Sequence, residues 1–407
     1  MERRKIYRVM GLFGAFGAFG LLAANTNAFA AGRIIITPHI ETSYEYNSNF
    51  FRTEKNTASV STWNISPGVG VIYKTAKTKI SVDGTLERNQ YYGSSGRTYG
   101  NPSNYNYTGG KASVEITSQV TNRLTVGVKD DLRSTRDPEY IDEYSQQTGF
   151  AKYTTNSFTP NIYYDFGNKF GIGARYQNSL ITWNDSYGPG EEDYSENRGA
   201  IDAFYNLNRS TAIYLEYQLW KGSYDGQSSD YWANQVTLNA SKQFNYFTLT
   251  AGAGYYSRSF DNSGLKTLDG VTWKIVADGR DRSREGEERK SRSFVNAALI
   301  HDVNNYGSGN SYYAATRLQL KGGYLFREKL EVSGMALYQN EDYQMNPSNR
   351  TDDLYVLSGR IAYEVRDKLV LAVEGGYRDR SSDAAGQSYN DTFIMAKLEY
   401  AYSFGRQ

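Results

Sequence analysis

Charged side chains recur at every second position in many segments of this 407-residue sequence, with apolar residues between them. An arginine guanidinium holds a carboxylate in a two-pronged hydrogen-bonded fork, and an aromatic ring beside it adds an apolar surface. The chemistry that these residues offer is therefore the non-covalent recognition of a polar or anionic solute. The candidate binding residues are Arg175, Glu216, Arg258, Arg317, Lys321, Arg360, Glu374, Arg378, Arg380, Lys397 and Glu399.

Catalytic chemistry has little support in the sequence. It contains two histidines and no cysteine. Alternation places His39 on the same face as Glu41, which is how a carboxylate orients a histidine base, but a structural or solvated His39 is the better interpretation. His301 stands beside Asp302, and the sequence has no Gly-x-Ser-x-Gly nucleophile motif. We predict that the protein is not an enzyme and holds neither a metal nor a cofactor.

The C-terminal segment, residues 392–404, indicates which element positions the charged side chains. Successive side chains of a β-strand point to opposite faces. One face of this segment is apolar and ends in aromatic residues: Thr392, Ile394, Ala396, Leu398, Tyr400, Tyr402 and Phe404. The other face carries charge in its middle: Phe393, Met395, Lys397, Glu399, Ala401 and Ser403. This alternation is typical of a strand between lipid and water.

The same alternation recurs along the chain, with tight turns on one side and longer polar loops on the other. It predicts an all-β fold, an antiparallel up-and-down transmembrane β-barrel. Residues 261–310 are the least regular part. Two strands can be drawn there, at residues 270–281 and 293–303. Counting both gives about eighteen strands in the barrel, and counting neither gives about sixteen. Counting only one is excluded because such barrels have even strand numbers. We prefer eighteen.

The N-terminus has the pattern of a signal peptide. Four basic residues lie within the first eight, residues 9–24 are apolar and uncharged, and Ala28-Phe29-Ala30 fits the small-x-small cleavage rule. We predict that residues 1–30 are removed and that residues 31–407 form one barrel domain. No apolar run long enough for a membrane-spanning helix follows.

Composition excludes several classes of function. Removing residues 1–30 leaves 41 Lys and Arg against 43 Asp and Glu, so no basic surplus indicates a nucleic-acid partner. The sequence has 37 tyrosines against 18 phenylalanines and 5 tryptophans. Tyrosine combines an apolar ring with a polar hydroxyl, which suits the aromatic girdles at the surfaces of a membrane.

Two interpretations of the candidate binding residues remain open. The alternation of side chains along each strand places them on one face, and we assign that face to the barrel interior. An arginine or lysine that faced lipid near the midplane would lower the free energy of unfolding by about 2–4 kcal/mol. In one interpretation the basic residues and Tyr214, Trp220 and Tyr256 form a track for an anionic sugar chain. In the other, opposite charges neutralise each other in a generic wet pore, and the near balance of charge favours this second interpretation.

A stretch near the N-terminus carries a family resemblance. It comprises Thr37-Pro38-His39-Ile40-Glu41, the run from Tyr44 to Arg52 (Tyr-Glu-Tyr-Asn-Ser-Asn-Phe-Phe-Arg), and Ser66-Pro67-Gly68. This stretch resembles β-barrel porin families of the outer membrane, in which a Tyr-Asp-(Asp/Ser)-Asn-(Val/Ile)-Phe motif precedes a Ser-Pro-Gly turn. Here Glu45-Tyr46 replaces the motif's Asp and Phe50 replaces Val or Ile. The resemblance implies an outer-membrane barrel, and some members of these families are associated with exopolysaccharide export.

We therefore predict a channel in the outer membrane of a Gram-negative cell that passes hydrophilic solutes, most plausibly oligo- or polysaccharide, with exopolysaccharide export as one version. A general nutrient-uptake porin, a plugged barrel that binds a surface partner and, last, a barrel hydrolase are the alternatives. The predicted partners are outer-membrane lipid, a saccharide, the barrel-insertion machinery and periplasmic polysaccharide-export proteins. Such barrels usually end in an aromatic residue, whereas here Gly405-Arg406-Gln407 follow Phe404.

Overall fold

The computed structural model describes residues 32–93, 100–137, 151–167, 169–184, 192–262, 264–280, 292–304, 312–343 and 350–405. These segments form one antiparallel sheet in which each long strand pairs with its neighbours in the sequence. The first strand also pairs with the last long strand, so the sheet closes on itself. The predicted signal peptide and the charge-dense residues 282–291 lie outside the described residues.

Eighteen long strands build the wall, and each begins or ends within a few residues of a turn. They are β1 (Arg33–Asn47), β2 (Val60–Lys74), β3 (Thr78–Gly93), β4 (Tyr107–Gln119), β5 (Leu124–Thr135), β6 (Tyr153–Asp165), β7 (Phe170–Trp183), β8 (Tyr194–Asn208), β9 (Thr211–Tyr224), β10 (Tyr231–Gln243), β11 (Phe247–Phe260), β12 (Leu268–Arg280), β13 (Ser293–Val303), β14 (Tyr313–Phe326), β15 (Leu330–Tyr343), β16 (Arg350–Arg366), β17 (Leu369–Ser382) and β18 (Tyr389–Ala401). A short 3₁₀ helix, Pro102–Tyr105, precedes β4. The prediction of eighteen strands is confirmed, and β12 and β13 are the two strands on which the choice between sixteen and eighteen depended.

Phe404 and Gly405 extend the pairing of the closing strand with β1. After a break at residues 402–403, the two-residue strand β19 (Phe404–Gly405) pairs with Ile35 and Ile36 of β1. Thus Gly405, the first residue beyond the terminal aromatic, is part of the seam between the first and last strands. A closed seam matters because an open sheet edge in lipid would leave backbone hydrogen-bonding groups without partners.

One end of the barrel has short turns, apart from the longer connection of β12 to β13 at residues 281–292, and the opposite end is called the outer end here. Between β14 and β15, Arg327 and Glu328 have φ of 48° and 62°. The amide of Lys329 donates to the carbonyl of Phe326 over 3.1 Å. This is the geometry of a type I′ hairpin, whose twist matches that of antiparallel strands. Longer loops on the extracellular side are the rule in outer-membrane barrels.

The outward face of the wall is apolar and carries two girdles of exposed aromatic residues. The girdle near the short turns contains Phe166, Phe170, Phe244, Phe247, Tyr324, Phe326, Tyr363, Tyr400, Tyr402 and Phe404. The girdle toward the outer end contains Tyr44, Tyr46, Trp63, Tyr92, Trp232, Tyr255, Tyr355 and Tyr377. Exposed aliphatic side chains such as Leu86 and Leu357 lie between them. In the described part of the chain, no helix has the length and apolarity to cross a membrane.

Leu357 provides a test of which face meets lipid. It lies near the middle of β16 with 62% of its surface exposed, and its neighbour Ser358 points to the other side of the sheet. We expect Leu357→Arg to lower the free energy of unfolding in lipid vesicles by about 2–4 kcal/mol, because the charge meets hydrocarbon. Ser358→Arg is the matched control and should cost clearly less, measured by urea titration. Equal losses would contradict the assignment of faces.

The barrel interior as candidate functional site

The inward face of the wall holds all eleven candidate binding residues. Directly opposed residues of neighbouring strands point to the same side of a sheet. Arg360 of β16 is opposed to Glu374 of β17, and Arg378 of β17 is opposed to Asp391 of β18. The opposite face carries the exposed apolar side chains described above. Whether a solute touches the eleven residues stays a prediction, but their side chains fall into distinct groups inside the barrel.

The first group, called the Arg380 network, is buried near the outer ends of β14–β17. Arg380 lies between two carboxylates, with Nη1 at 2.7 Å from Glu341 Oε2 and at 2.9 Å from Asp352 Oδ2. Arg350 Nη2 is 3.0 Å from the same Asp352 oxygen. Arg350 and Arg380 are thus paired with two carboxylates, and Arg317 adds a third arginine to the group. Its remaining members are Arg317, Gln339 and Tyr343, which hydrogen bond or stack along the same row.

The second group, called the Arg360 network, is half-exposed and lies nearer the short turns. Arg360 contacts Glu331 and Glu399, each over 3.2 Å. Lys397 of the same group is 2.9 Å from Glu41 and 3.1 Å from Glu399. Because Glu41 belongs to β1 and Lys397 to β18, this network spans the closing seam. Its side chains keep roughly a quarter to two fifths of their surface exposed, so water in the barrel reaches them.

Two smaller pairs complete the arrangement of the candidate charges. Arg175 Nη2 is 3.2 Å from Glu216 Oε2, which places these two predicted residues together. Arg378 Nη1 is 3.5 Å from Asp391 Oδ2, an oxygen that also lies 4.0 Å from Arg52 Nε. Most of the predicted basic residues therefore face carboxylates. This arrangement fits the interpretation in which opposite charges neutralise each other better than a dedicated anion track.

A large aromatic cluster occupies the outer ends of β6–β12 on the inward face. This outer aromatic cluster comprises the buried residues Tyr153, Ile181, Tyr194, Trp220, Tyr224, Tyr231, Ala233, Tyr256, Leu268 and Tyr312. Arg198 lies 4.3 Å from the ring centre of Trp220, and Arg258 lies 4.4 Å from that of Tyr231. Tyr194 and Tyr231 both donate to the carboxylate of Glu196, over 2.8 and 3.4 Å. The strand wall thus presents rings and cations together.

Side-chain packing differs between the two ends of the barrel interior. The inward side chains of the outer aromatic cluster and of the Arg380 network are buried against one another. Those of the Arg360 network and of the pair Lys129 and Asp131 are substantially exposed. Among the described residues, the inward side chains are therefore packed more closely toward the outer end, called the narrow half here, than near the short turns.

Several residues of these groups are absent from the predicted set. Arg350 and Asp352 were missed because the alternating pattern predicts a strand over residues 354–365 only, whereas β16 begins at Arg350. Glu196 was missed for the same reason, since β8 begins at Tyr194 and the prediction began at residue 197. The alternation of charge in Arg350-Thr351-Asp352 was the signal that extends the strand. Tyr312 lies just before β14, and no periodic pattern predicts its burial.

Neither histidine has the surroundings of a catalytic base. His39 Nε2 is 3.2 Å from the hydroxyl of Thr85, while the carboxylate of Glu41 pairs with Lys397. His301 lies on the outward face, stacked on Trp273 with ring centres 5.8 Å apart. Among the described residues, no group of three or more His, Cys, Asp or Glu side chains is arranged to hold a metal ion.

The motif between Tyr44 and Arg52 builds the first outer loop and ties it to the last strand. Asn49 is buried, and its side-chain amide donates to the carbonyl of Thr53 over 2.8 Å and to that of Asn390 over 2.9 Å. Its oxygen accepts from the amide of Thr53 over 3.1 Å. The adjacent Phe51 packs inward on Tyr105. The motif therefore has a structural role at the seam between β1 and β18.

Removing the Asn49 side chain should weaken this seam. We expect Asn49→Ala to lower the free energy of unfolding by about 1–3 kcal/mol, because buried carbonyl and amide groups lose their partner. Asn390→Ala is the control, since the acceptor there is the backbone carbonyl and survives the change. Urea titration in vesicles measures both. A loss for Asn49→Ala no larger than that for Asn390→Ala would contradict the role of Asn49.

Comparisons with known proteins agree with this architecture. Residues 27–402 match the family described as Putative beta-barrel porin 2. A BenF-like porin from Pseudomonas fluorescens Pf-5 is 12% identical, with a TM-score of 0.51 over 92% of this chain and 100% of that chain. Acinetobacter baumannii OccAB4 is 11% identical, with a TM-score of 0.50 over 93% and 100%. Pseudomonas aeruginosa OccK1 is 12% identical, with a TM-score of 0.50 over 91% and 99%.

The structural likenesses show the fold alone, because the identities are low. No protein with a curated description matches the sequence. The family match covers nearly the whole described barrel, and the family and the fold together indicate the Gram-negative outer membrane. The chain therefore belongs to the Putative beta-barrel porin 2 family and is a porin-like β-barrel channel of the outer membrane.

Proposed function

We propose that this channel passes hydrophilic saccharides, of oligosaccharide or longer length, through the interior of the barrel. The observation that carries the proposal is the inward wall of the outer half, where aromatic rings alternate with charged and amide side chains. Trp220, Tyr231 and Tyr256 form a packed cluster there, and a sugar ring that displaced a neighbouring side chain would meet their apolar faces. Glu196, Arg198 and Gln218 offer hydrogen-bonding groups to hydroxyls beside them. An eighteen-strand barrel is of the size that leaves an aqueous lumen.

Export of an exopolysaccharide is the long-chain version of this proposal. It requires an upstream machine that delivers the polymer, because the barrel supplies a passage and no energy. Periplasmic export proteins docking at the short-turn end would be the partners, and the wider interior at that end would receive the chain. After removal of residues 1–30, the barrel-insertion machinery would place the protein in the membrane.

Uptake of small nutrients is the second candidate, and one observation favours it. The buried outer aromatic cluster and the Arg380 network narrow the outer half of the interior. A narrow outer half suits short solutes better than a polymer. The near balance of charge inside likewise fits a porin with little preference for the sign of the solute.

Liposome swelling with sugars of graded size tests the proposal. We expect vesicles containing the purified protein to admit a monosaccharide, a disaccharide and a trisaccharide at falling rates. Admission of the monosaccharide alone would support the uptake of small nutrients and contradict the saccharide proposal. No swelling with any sugar would contradict both and indicate a plugged barrel. For export, deletion of the gene should reduce surface polysaccharide, and unchanged polysaccharide would contradict that version.

A further inference from the structure

Arg258 differs from Arg380, another buried arginine of the interior, in the groups that surround its guanidinium. Both side chains are inaccessible to solvent. Arg380 has two carboxylates within 3 Å, whereas no carboxylate of the described residues forms an ion pair with Arg258. Within the described part of the chain, its one hydrogen bond runs from Nη2 to the backbone carbonyl of Asn304 over 3.1 Å. Nε and Nη1 have no hydrogen-bond partner among the same residues.

Two tyrosine rings enclose this guanidinium. The ring centre of Tyr231 is 4.4 Å away and that of Tyr312 is 4.6 Å away. The negative face of an aromatic ring attracts a cation, so the rings hold the charge in place without neutralising it. A buried cation without a counter-ion is costly, and its free N–H groups are strong donors. An anion with oxygen acceptors would both balance the charge of Arg258 and accept hydrogen bonds from its N–H groups.

We infer that Arg258 binds the carboxylate group of an acidic sugar during passage, and that this carboxylate displaces the ring of Tyr312. The inference rests on the proposed passage of saccharides and names their chemical class. Tyr231 belongs to a strand and stays as the fixed wall of the subsite. Tyr312 precedes β14 and is held by ring contacts with Tyr231 and Phe260. Trp220 and Tyr256 are buried in the same cluster, so only a carboxylate that opens the cluster at Tyr312 brings the sugar ring against apolar surface.

Glucuronate and glucose form a matched pair of probes, because glucuronate carries a carboxylate where glucose carries a hydroxymethyl group. In planar bilayers, we expect glucuronate to reduce the current through single channels at lower concentration than glucose does. Arg258→Gln should weaken the effect of glucuronate at least about tenfold, since it removes a charged hydrogen bond. Arg209→Gln, at an exposed short turn, loses the same charge and should leave the effect unchanged.

Two further variants keep the test decisive if Arg258→Gln does not fold. Arg258→Lys retains the charge but not the planar fork, and should weaken the effect of glucuronate by a smaller factor. Tyr312→Ala uncovers the guanidinium, so glucuronate should act at lower concentration than in the unchanged protein. The inference is overturned if glucuronate reduces the current no more strongly than glucose does. It is also overturned if glucuronate reduces the current through Arg258→Gln or Arg258→Lys as strongly as it reduces the current through the unchanged protein.

Equilibrium dialysis separates failure of this inference from failure of the proposed function. If no channel current appears in any variant, passage fails, but binding of glucuronate to the purified protein still decides the role of Arg258. We expect binding that is lost in Arg258→Gln and retained in Arg209→Gln. If currents and sugar passage are normal while glucuronate does not bind, the proposed function stands and the carboxylate subsite is wrong.

Discussion

Replacing Arg380 with methionine is expected to lower the free energy of unfolding of the barrel by about 3–5 kcal/mol, because the change removes the arginine that pairs with both Glu341 and Asp352 and leaves Asp352 paired with Arg350. Arg380 and both carboxylates that it contacts have no exposed side-chain surface. Methionine fills most of the space of the arginine stem but donates no hydrogen bond. Glu341 and Asp352 would then repel each other in a place that water reaches poorly. Urea titration of the protein in lipid vesicles measures the loss.

Arg360 supplies the matched control, since it also contacts two carboxylates. Its side chain is 27% exposed, and those of Glu331 and Glu399 are 34% and 35% exposed. Solvent screens these pairs, so Arg360→Met should cost about 1 kcal/mol or less. Arg380→Met should also regain stability when Glu341→Gln is added, because one of the two buried charges disappears. Similar losses for Arg380→Met and Arg360→Met would show that burial does not distinguish the two networks.

Truncating Trp220 to alanine is expected to produce the second large effect, a loss of about 3–5 kcal/mol in the free energy of unfolding. Trp220 is 1% exposed at the centre of the outer aromatic cluster, and the guanidinium of Arg198 stacks on its ring. The change removes the ring contacts and leaves a cavity in the narrow half of the interior. We also expect faster passage of a trisaccharide in liposome swelling, because the outer half becomes wider.

Trp232 is the matched control for this change. It lies on the next strand, one position from Ala233, which is opposed to Trp220, and it points outward with 48% of its surface exposed. Trp232→Ala should cost less stability and leave sugar passage unchanged. Trp220→Phe retains most of the packing and should fall between Trp220→Ala and the unchanged protein. If Trp232→Ala altered passage as much as Trp220→Ala, the outer aromatic cluster would not line the route.

The fold could be predicted from the sequence because its signal is local. A period of two residues appears within each strand, and the outward apolar faces must be continuous for the barrel to sit in lipid. The irregular β13 was the hardest strand to recognise, since its outward face mixes Val295, Ala297 and Leu299 with His301. An even strand number required β12 and β13 to be counted together or not at all, which left sixteen and eighteen strands open.

The groups inside the barrel could be predicted only in part, because contacts depend on register and closure. Alternation assigned Lys397 and Glu399 to the inward face, but it did not predict that Glu41, more than 350 residues away in the sequence, pairs with Lys397. Strand ends were placed a few residues short, which hid Arg350 and Asp352. Burial of Tyr312 against Arg258 depends on how a residue outside the strands packs, and sequence periodicity carries no information about that.

Single-channel recording in planar bilayers tests the central claim most directly, that this barrel is a water-filled channel whose outer half controls passage. The unchanged protein should give discrete current steps in salt solution, and Trp220→Ala should give larger steps because it widens the narrow half. Trp232→Ala should match the unchanged protein. Absence of current steps from folded, inserted protein, or equal steps for Trp220→Ala and the unchanged protein, would contradict the account.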